Sequence, residues 1–78
     1  MENWTEKDGI LTRIIKTDNY IQGVAHVVQI ASLAEDQKHH PTIVLEYGRV
    51  IVSLTTHDAG NTVTEKDYRL AKSIDECF

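Results

Sequence analysis

The strongest constraint on the fold is an alternation of apolar residues on either side of one glycine. Ile43, Leu45 and Tyr47 precede Gly48, and Val50, Val52 and Leu54 follow it. Side chains on a strand point alternately to opposite faces, so a run of period two buries one face only. With Gly48-Arg49 as the turn, Tyr47 pairs with Val50, Leu45 with Val52 and Ile43 with Leu54. All six side chains then share one face, as a sheet covered by helices on one side requires.

An earlier hairpin is marked by Asp8-Gly9, a two-residue turn whose members tolerate positive φ. It separates a short strand around Asn3–Lys7 from a longer one over Ile10–Thr17. Pairing Lys7 with Ile10 sets Trp4 opposite Arg13, on the face of Leu11 and Ile15. Thr17-Asp18-Asn19 then starts a helix, with Gln22 three residues past Asn19 as in a capping box. Tyr20, Val24, Val27, Val28, Ala31 and Ala34 recur at helical spacing and mark its buried stripe. Ile30 and Leu33 fall off that stripe, beside His26, and form a second apolar patch for a neighbouring element or a partner subunit. The helix must stop near His39, because Pro41 pushes His40 out of the α region. After a loop over Asp58–Val63, Thr64 caps a last helix with Asp67 at its third position and Leu70, Ala71, Ile74 and Phe78 along its apolar stripe. The expected fold is a single α+β domain over residues 1–78, of order β-β-α-β-β-α. Its four-stranded antiparallel sheet is covered on one face by two helices.

A chain of 78 residues has a thin core, so association into a homodimer or homotetramer is expected. The net charge of −4, with Lys and Arg scattered along the chain, removes the electrostatic basis for direct nucleic-acid binding. No apolar run reaches the roughly 18 residues of a membrane span. Met1–Trp4 does not read as a signal peptide, and the one cysteine, Cys77, has no partner for a disulfide or a zinc pair. A reduced, cytoplasmic protein is expected.

The same hairpin register has a consequence for the histidines. Continued outward, it sets Pro41 opposite Thr56 and His40 opposite His57, and opposed residues have Cβ atoms roughly 5 Å apart. Glu35, four residues before His39, lies on the same helix face. Three histidines and a carboxylate therefore converge on one edge of the domain. Acid–base chemistry is the first reading, since imidazole titrates near neutral pH. A purely structural cluster is a second. A metal site is a third, because three imidazoles and a carboxylate would suit zinc or iron, although adjacent histidines at a helix end point in different directions. His26 lies mid-helix, away from this cluster.

These residues also carry a resemblance. Glu35, three residues, His39-His40-Pro41, then Tyr47, His57 and Asp67 resemble the spaced pattern of the pterin-4a-carbinolamine dehydratases. The likeness runs from about Trp4 to the C-terminus. It implies helices on one face of a four-stranded antiparallel sheet, usually preceded by a further helix. It also implies a hydro-lyase that converts a 4a-hydroxytetrahydropterin to a quinonoid dihydropterin and water in pterin recycling, with no metal and no cofactor. By resemblance His39, His40 and His57 are catalytic, with His39 and His57 sharing the acid–base work and His40 holding or protonating the departing oxygen. Glu35, Pro41, Thr56, Asp58 and Lys66 would bind substrate, Glu35 by accepting a hydrogen bond from the pterin or by orienting His39. Lys38, Ile43 and Lys66 stand where members often have Asp, Trp and Arg. The alternative on this scaffold is a non-catalytic binding or assembly module.

Overall fold

Two antiparallel hairpins meet at their longer strands to make one sheet. The computed structural model describes residues 1–78. The hairpins are β1 (Thr5–Lys7) with β2 (Ile10–Lys16), and β3 (Thr42–Glu46) with β4 (Arg49–Leu54). The sheet order is β1-β2-β4-β3. Helices α1 (Tyr20–Gln37) and α2 (Glu65–Cys77) cover one face, giving the expected β-β-α-β-β-α order. Leu11, Ile15, Val50, Val52 and Leu54 point to that face and are buried with Ile30, Ala34, Leu70, Ala71 and Ile74.

The Asp8-Gly9 turn forms as expected, with both residues at positive φ and Lys7 paired with Ile10. Trp4 is buried, and its indole N–H donates to Asp75 of α2 at 2.9 Å. Arg13 reaches the same carboxylate at 2.6 Å, so Asp75 ties the first hairpin to the last helix.

The second hairpin differs from the expected register by two residues. Leu45 pairs with Val50 and Ile43 with Val52, so the turn is Tyr47-Gly48 and not Gly48-Arg49. A shift of two leaves every side chain on its face, which is why Ile43 and Leu45 still pack against the core. Tyr47 leaves the core face and is exposed at the turn.

Helix α1 starts where expected. Asn19 Oδ1 accepts the Gln22 N–H at 2.9 Å, while the Gln22 side chain takes the Asp18 N–H at 2.7 Å. Its buried face is rotated from the expected stripe. Gly23, Ile30 and Ala34 are buried, whereas Tyr20, Val28 and Ala31 are exposed. Ile30 and Leu33 are therefore core residues of the chain, Leu33 packing partly buried against the cluster, and they offer no patch for a partner. The cause is Gly23. A Cβ there would lie 2.7 Å from Leu45 Cδ1, so the missing side chain lets α1 approach the sheet along that line. His26 packs edge-on against Phe78, ring centroids 4.4 Å apart, on the helix-helix seam. No helix is long and apolar enough to cross a membrane.

Candidate active site

Both ends of the site are chain reversals that follow regular elements. Helix α1 ends at Gln37, and Lys38 takes the left-handed conformation with φ 53° and ψ 40°. The His39 N–H returns to the Ala34 carbonyl (3.1 Å) and the Lys38 N–H to that of Glu35 (3.2 Å), the paired bonds of a Schellman cap. Glycine is usual at this position, and an L-residue there costs about 1–2 kcal/mol. On the opposite side, β4 runs through Thr55 and Thr56 into a 3-10 turn, His57–Ala59. A Thr56–Thr62 bridge closes this loop, with the Thr56 N–H donating to Thr62 O at 2.9 Å.

An open pocket of ≈ 210 Å³ lies between the two reversals, lined by Lys38, His39, His40, Thr55, Thr56, His57, Asp58 and Lys66. The three histidines thus share one pocket, but not through the expected pairing. The observed register, continued past the strand ends, sets His39 opposite Thr56 and His40 opposite Thr55, not His57. His57 reaches the pocket from the loop instead. Of the residues expected to bind substrate, Thr56, Asp58 and Lys66 line the pocket, while Glu35 and Pro41 are not on its wall.

Each imidazole is held through one ring nitrogen by a different partner. His39, little exposed, donates its Nε2–H to Asp67 Oδ1 at 2.5 Å. Asp67 is fully buried, and its Oδ2 accepts the Thr56 hydroxyl at 2.7 Å and the Thr64 N–H at 2.9 Å. Burial pushes the Asp67 carboxyl up, but hydrogen bonds from His39, the Thr64 amide and Thr56, with the His39 charge, outweigh it. The net effect holds it below its ordinary 3.8. An ionised carboxylate can only accept, which places the His39 proton on Nε2 and leaves Nδ1 for a bound molecule. His40 Nε2 pairs with Glu35, both side chains well exposed. Glu35 therefore orients His40 and not His39, because the left-handed residue at 38 breaks the helical spacing that would have stacked 35 on 39. His57 Nδ1 donates to the Asn61 amide oxygen at 2.7 Å and keeps Nε2 free. Asn61 also has positive φ, 57°.

The sequence marks Asp67 only as a helix-start residue and a member of the family pattern, and gives no role to Asn61 or Thr55. Asp67 carried a signal, since a carboxylate at the third position of a helix after Thr64 is a capping residue; its second bond, to His39, is long-range. Asn61 sits four residues after His57, a spacing that means nothing until the loop closes. The Asn61 loop is braced in turn by the first hairpin. Thr55 Oγ1 donates to Gly9 O at 2.7 Å, and a Cβ at Gly9 would lie 2.2 Å from Asn61 O. No group of three His, Cys, Asp or Glu side chains is arranged to hold a metal ion.

A half-open pocket with three imidazoles, each with one nitrogen tethered and one available, defines a site suited to moving protons on a small polar molecule. The profile of the family described as Pterin 4 alpha carbinolamine dehydratase matches residues 1–77. A protein of Chloroflexus aurantiacus that bears the name "Putative pterin-4-alpha-carbinolamine dehydratase" is 43% identical over 74 residues, 95% of this chain and 78% of that one. One of Aquifex aeolicus with the same name is 43% identical over 76 residues, 97% of this chain and 76% of that one. The crystal structure of a transcriptional coactivator/pterin dehydratase from Brucella melitensis superposes with a TM-score of 0.86 at 32% identity, covering 97% of this chain and 82% of that one. A pterin dehydratase-like protein identified as a RuBisCO assembly factor in the alpha-carboxysome has a TM-score of 0.73 at 22% identity, over 94% of this chain and 83% of that one, a likeness of fold alone. The chain belongs to the pterin-4-alpha-carbinolamine dehydratase family.

Proposed function

We propose that this protein dehydrates a 4a-hydroxytetrahydropterin to the quinonoid dihydropterin by histidine acid–base catalysis. The observation that carries the reading is the set of three imidazoles lining one pocket, each with one nitrogen tethered and no partner within the chain on the other. In the reaction the N5–H bond of the pterin breaks as N5=C4a forms, and the C4a–O bond breaks with its electrons leaving on oxygen. A base takes the N5 proton and an acid supplies one to the departing hydroxyl, which leaves as water. His39 and His57 take these two parts, through Nδ1 and Nε2 respectively, the acid entering the reaction as imidazolium and the base leaving it as one. His40, more exposed and tethered to the exposed Glu35, holds the departing oxygen. Thr56, Asp58 and Lys66 contact the ring or its substituents. No step needs an oxidant, a reductant or a metal, so water is the only co-product.

Turnover of a 4a-hydroxytetrahydropterin above the buffer rate is the test, with His39→Ala, His57→Ala and His26→Ala compared. General acid–base catalysis contributes about 10²–10⁴-fold, so the first two variants lose that range of kcat while His26→Ala, outside the pocket, stays near the parent. Retained helix content separates catalysis from folding. Full activity in folded His39→Ala and His57→Ala would refute the assignment. A parent protein with no rate above buffer would leave a non-catalytic binding or assembly module in its place.

A further inference from the structure

Half of the chain's cationic side chains gather beside the active-site pocket with no carboxylate holding them. The chain has eight Lys and Arg residues. Arg13 is bound by Asp75 and Arg49 by Glu46. Lys38 and Lys66 line the pocket, and Lys66, Arg69 and Lys72 border a neighbouring depression of ≈ 440 Å³ together with Glu65 and Tyr68. Lys66 belongs to both walls, so the two hollows adjoin. Lys66, Arg69 and Lys72 succeed one another at three-residue spacing on the exposed side of α2, spanning about 9 Å of helix. Four positive side chains thus face two carboxylates, Asp58 and Glu65, in a protein whose net charge is −4.

Lys38 supplies an independent sign. Its bonds in the helix cap come from backbone alone, so glycine would make them without the strain of φ 53°. A strained residue whose side chain lines a pocket points to a use for that side chain there.

The size of the pocket shows where a substituent must go. At ≈ 210 Å³ it lies below the roughly 300–1,000 Å³ that enclose a drug-sized ligand. A bicyclic ring seated in this open pocket would direct a long side chain outward across its rim. The wall it shares with the second hollow is Lys66, and beyond Lys66 lie Arg69 and Lys72. Several cations set along a ridge suit a group with several anionic oxygens better than a single carboxylate.

We infer that the physiological substrate carries a phosphate ester on the side chain of its pterin ring, received by Lys66, Arg69 and Lys72, with Lys38 adding charge at the pocket. This rests on the dehydratase reading for the ring and adds the chemical class of its substituent. The probes are two unreactive 7,8-dihydropterins with the same hydroxyalkyl side chain at C6, one bearing a terminal phosphate. Binding is measured by fluorescence titration of the full chain, so the result does not depend on turnover. The phosphorylated ligand binds about tenfold tighter, a difference of ~1.4 kcal/mol, and the advantage shrinks as salt rises. Arg69→Ala with Lys72→Ala removes most of that advantage and leaves the affinity of the neutral ligand unchanged. Lys38→Gly lowers affinity for the phosphorylated ligand while raising the thermal midpoint. Equal affinities in the parent chain, or a preference that survives the double replacement, overturn the inference and leave the dehydratase reading standing. Absence of turnover with a phosphate preference intact overturns the dehydratase reading instead.

Discussion

Replacing Asp67 by Asn separates the charge of this carboxylate from its shape. Asp67 accepts three hydrogen bonds, one from His39 at Oδ1 and two, from Thr56 and Thr64, at Oδ2. An amide has only one oxygen. Placing it at Oδ2 satisfies two donors and turns the NH2 toward His39 Nε2. His39 must then give up the proton on Nε2 and carry it on Nδ1, the nitrogen that has no partner within the chain. The neutral imidazole is no longer a base on that side. We expect kcat to fall about 10²–10⁴-fold, toward the upper end where the same change in a hydrolytic triad traps the wrong tautomer. Hydrogen bonds to a charged group are worth about 1.5–3 kcal/mol, and two of the three survive in weaker form, so stability falls by about 2–3 kcal/mol. A domain of this size holds about 4–12 kcal/mol, so the variant folds. Because the Asp67 carboxyl is held below 3.8, its stabilisation is present above that pH and lost as pH falls through the lower folded value. The parent's advantage in urea denaturation therefore shrinks on acidification below pH 3.8. Nitrogen-15 imidazole spectra report the tautomer directly. A folded Asp67→Asn protein with the His39 proton still on Nε2, or with undiminished turnover, would refute the reasoning.

Two further outcomes follow from the geometry. Gly9→Ala meets both a positive φ and a Cβ 2.2 Å from Asn61 O, so the loop carrying His57 must move; turnover drops while helix content by circular dichroism changes little. Sedimentation equilibrium at micromolar concentration should show a dimer or tetramer. The surface available for it is Ile14, Ile51 and Val44, paired across the helix-free face of the sheet, and not Ile30 and Leu33.

What the sequence reveals, and what it hides, follows from which interactions are periodic. Alternation specifies the face of each strand residue but is blind to a shift of two, and Gly48 gives no local reason to choose Tyr47-Gly48 over Gly48-Arg49. The exposure of Tyr47 decides it, and an aromatic ring offers no sign of that in advance. Hydrophobic periodicity does not show the buried face of α1, because it counts side chains and Gly23 has none, though its absence of bulk is what seats the helix. The histidine spacing points to three imidazoles at one edge, and His39, His40 and His57 line one pocket, though His57 arrives from the loop and not by pairing with His40. The partners of those histidines are harder to read, since Glu35 is in the motif but serves His40, and Asp67 lies 28 residues from His39 and reaches it only when α2 docks.

The two hairpin turns have equal length and opposite surroundings. Around Gly48 an added Cβ meets nothing within 4 Å, whereas at Gly9 it strikes the backbone of the loop that carries His57. A peptide tag spliced between Tyr47 and Gly48 would hang in solvent and leave the pocket as it is. The same tag at Asp8-Gly9 would act as a wedge under Asn61, some fifty positions along the chain. The Asp8-Gly9 turn, held closed by the pairing of β1 with β2, is thereby the anvil on which the His57 loop is set. Circular permutants and domain fusions of this scaffold should open at the second turn and leave the first one closed.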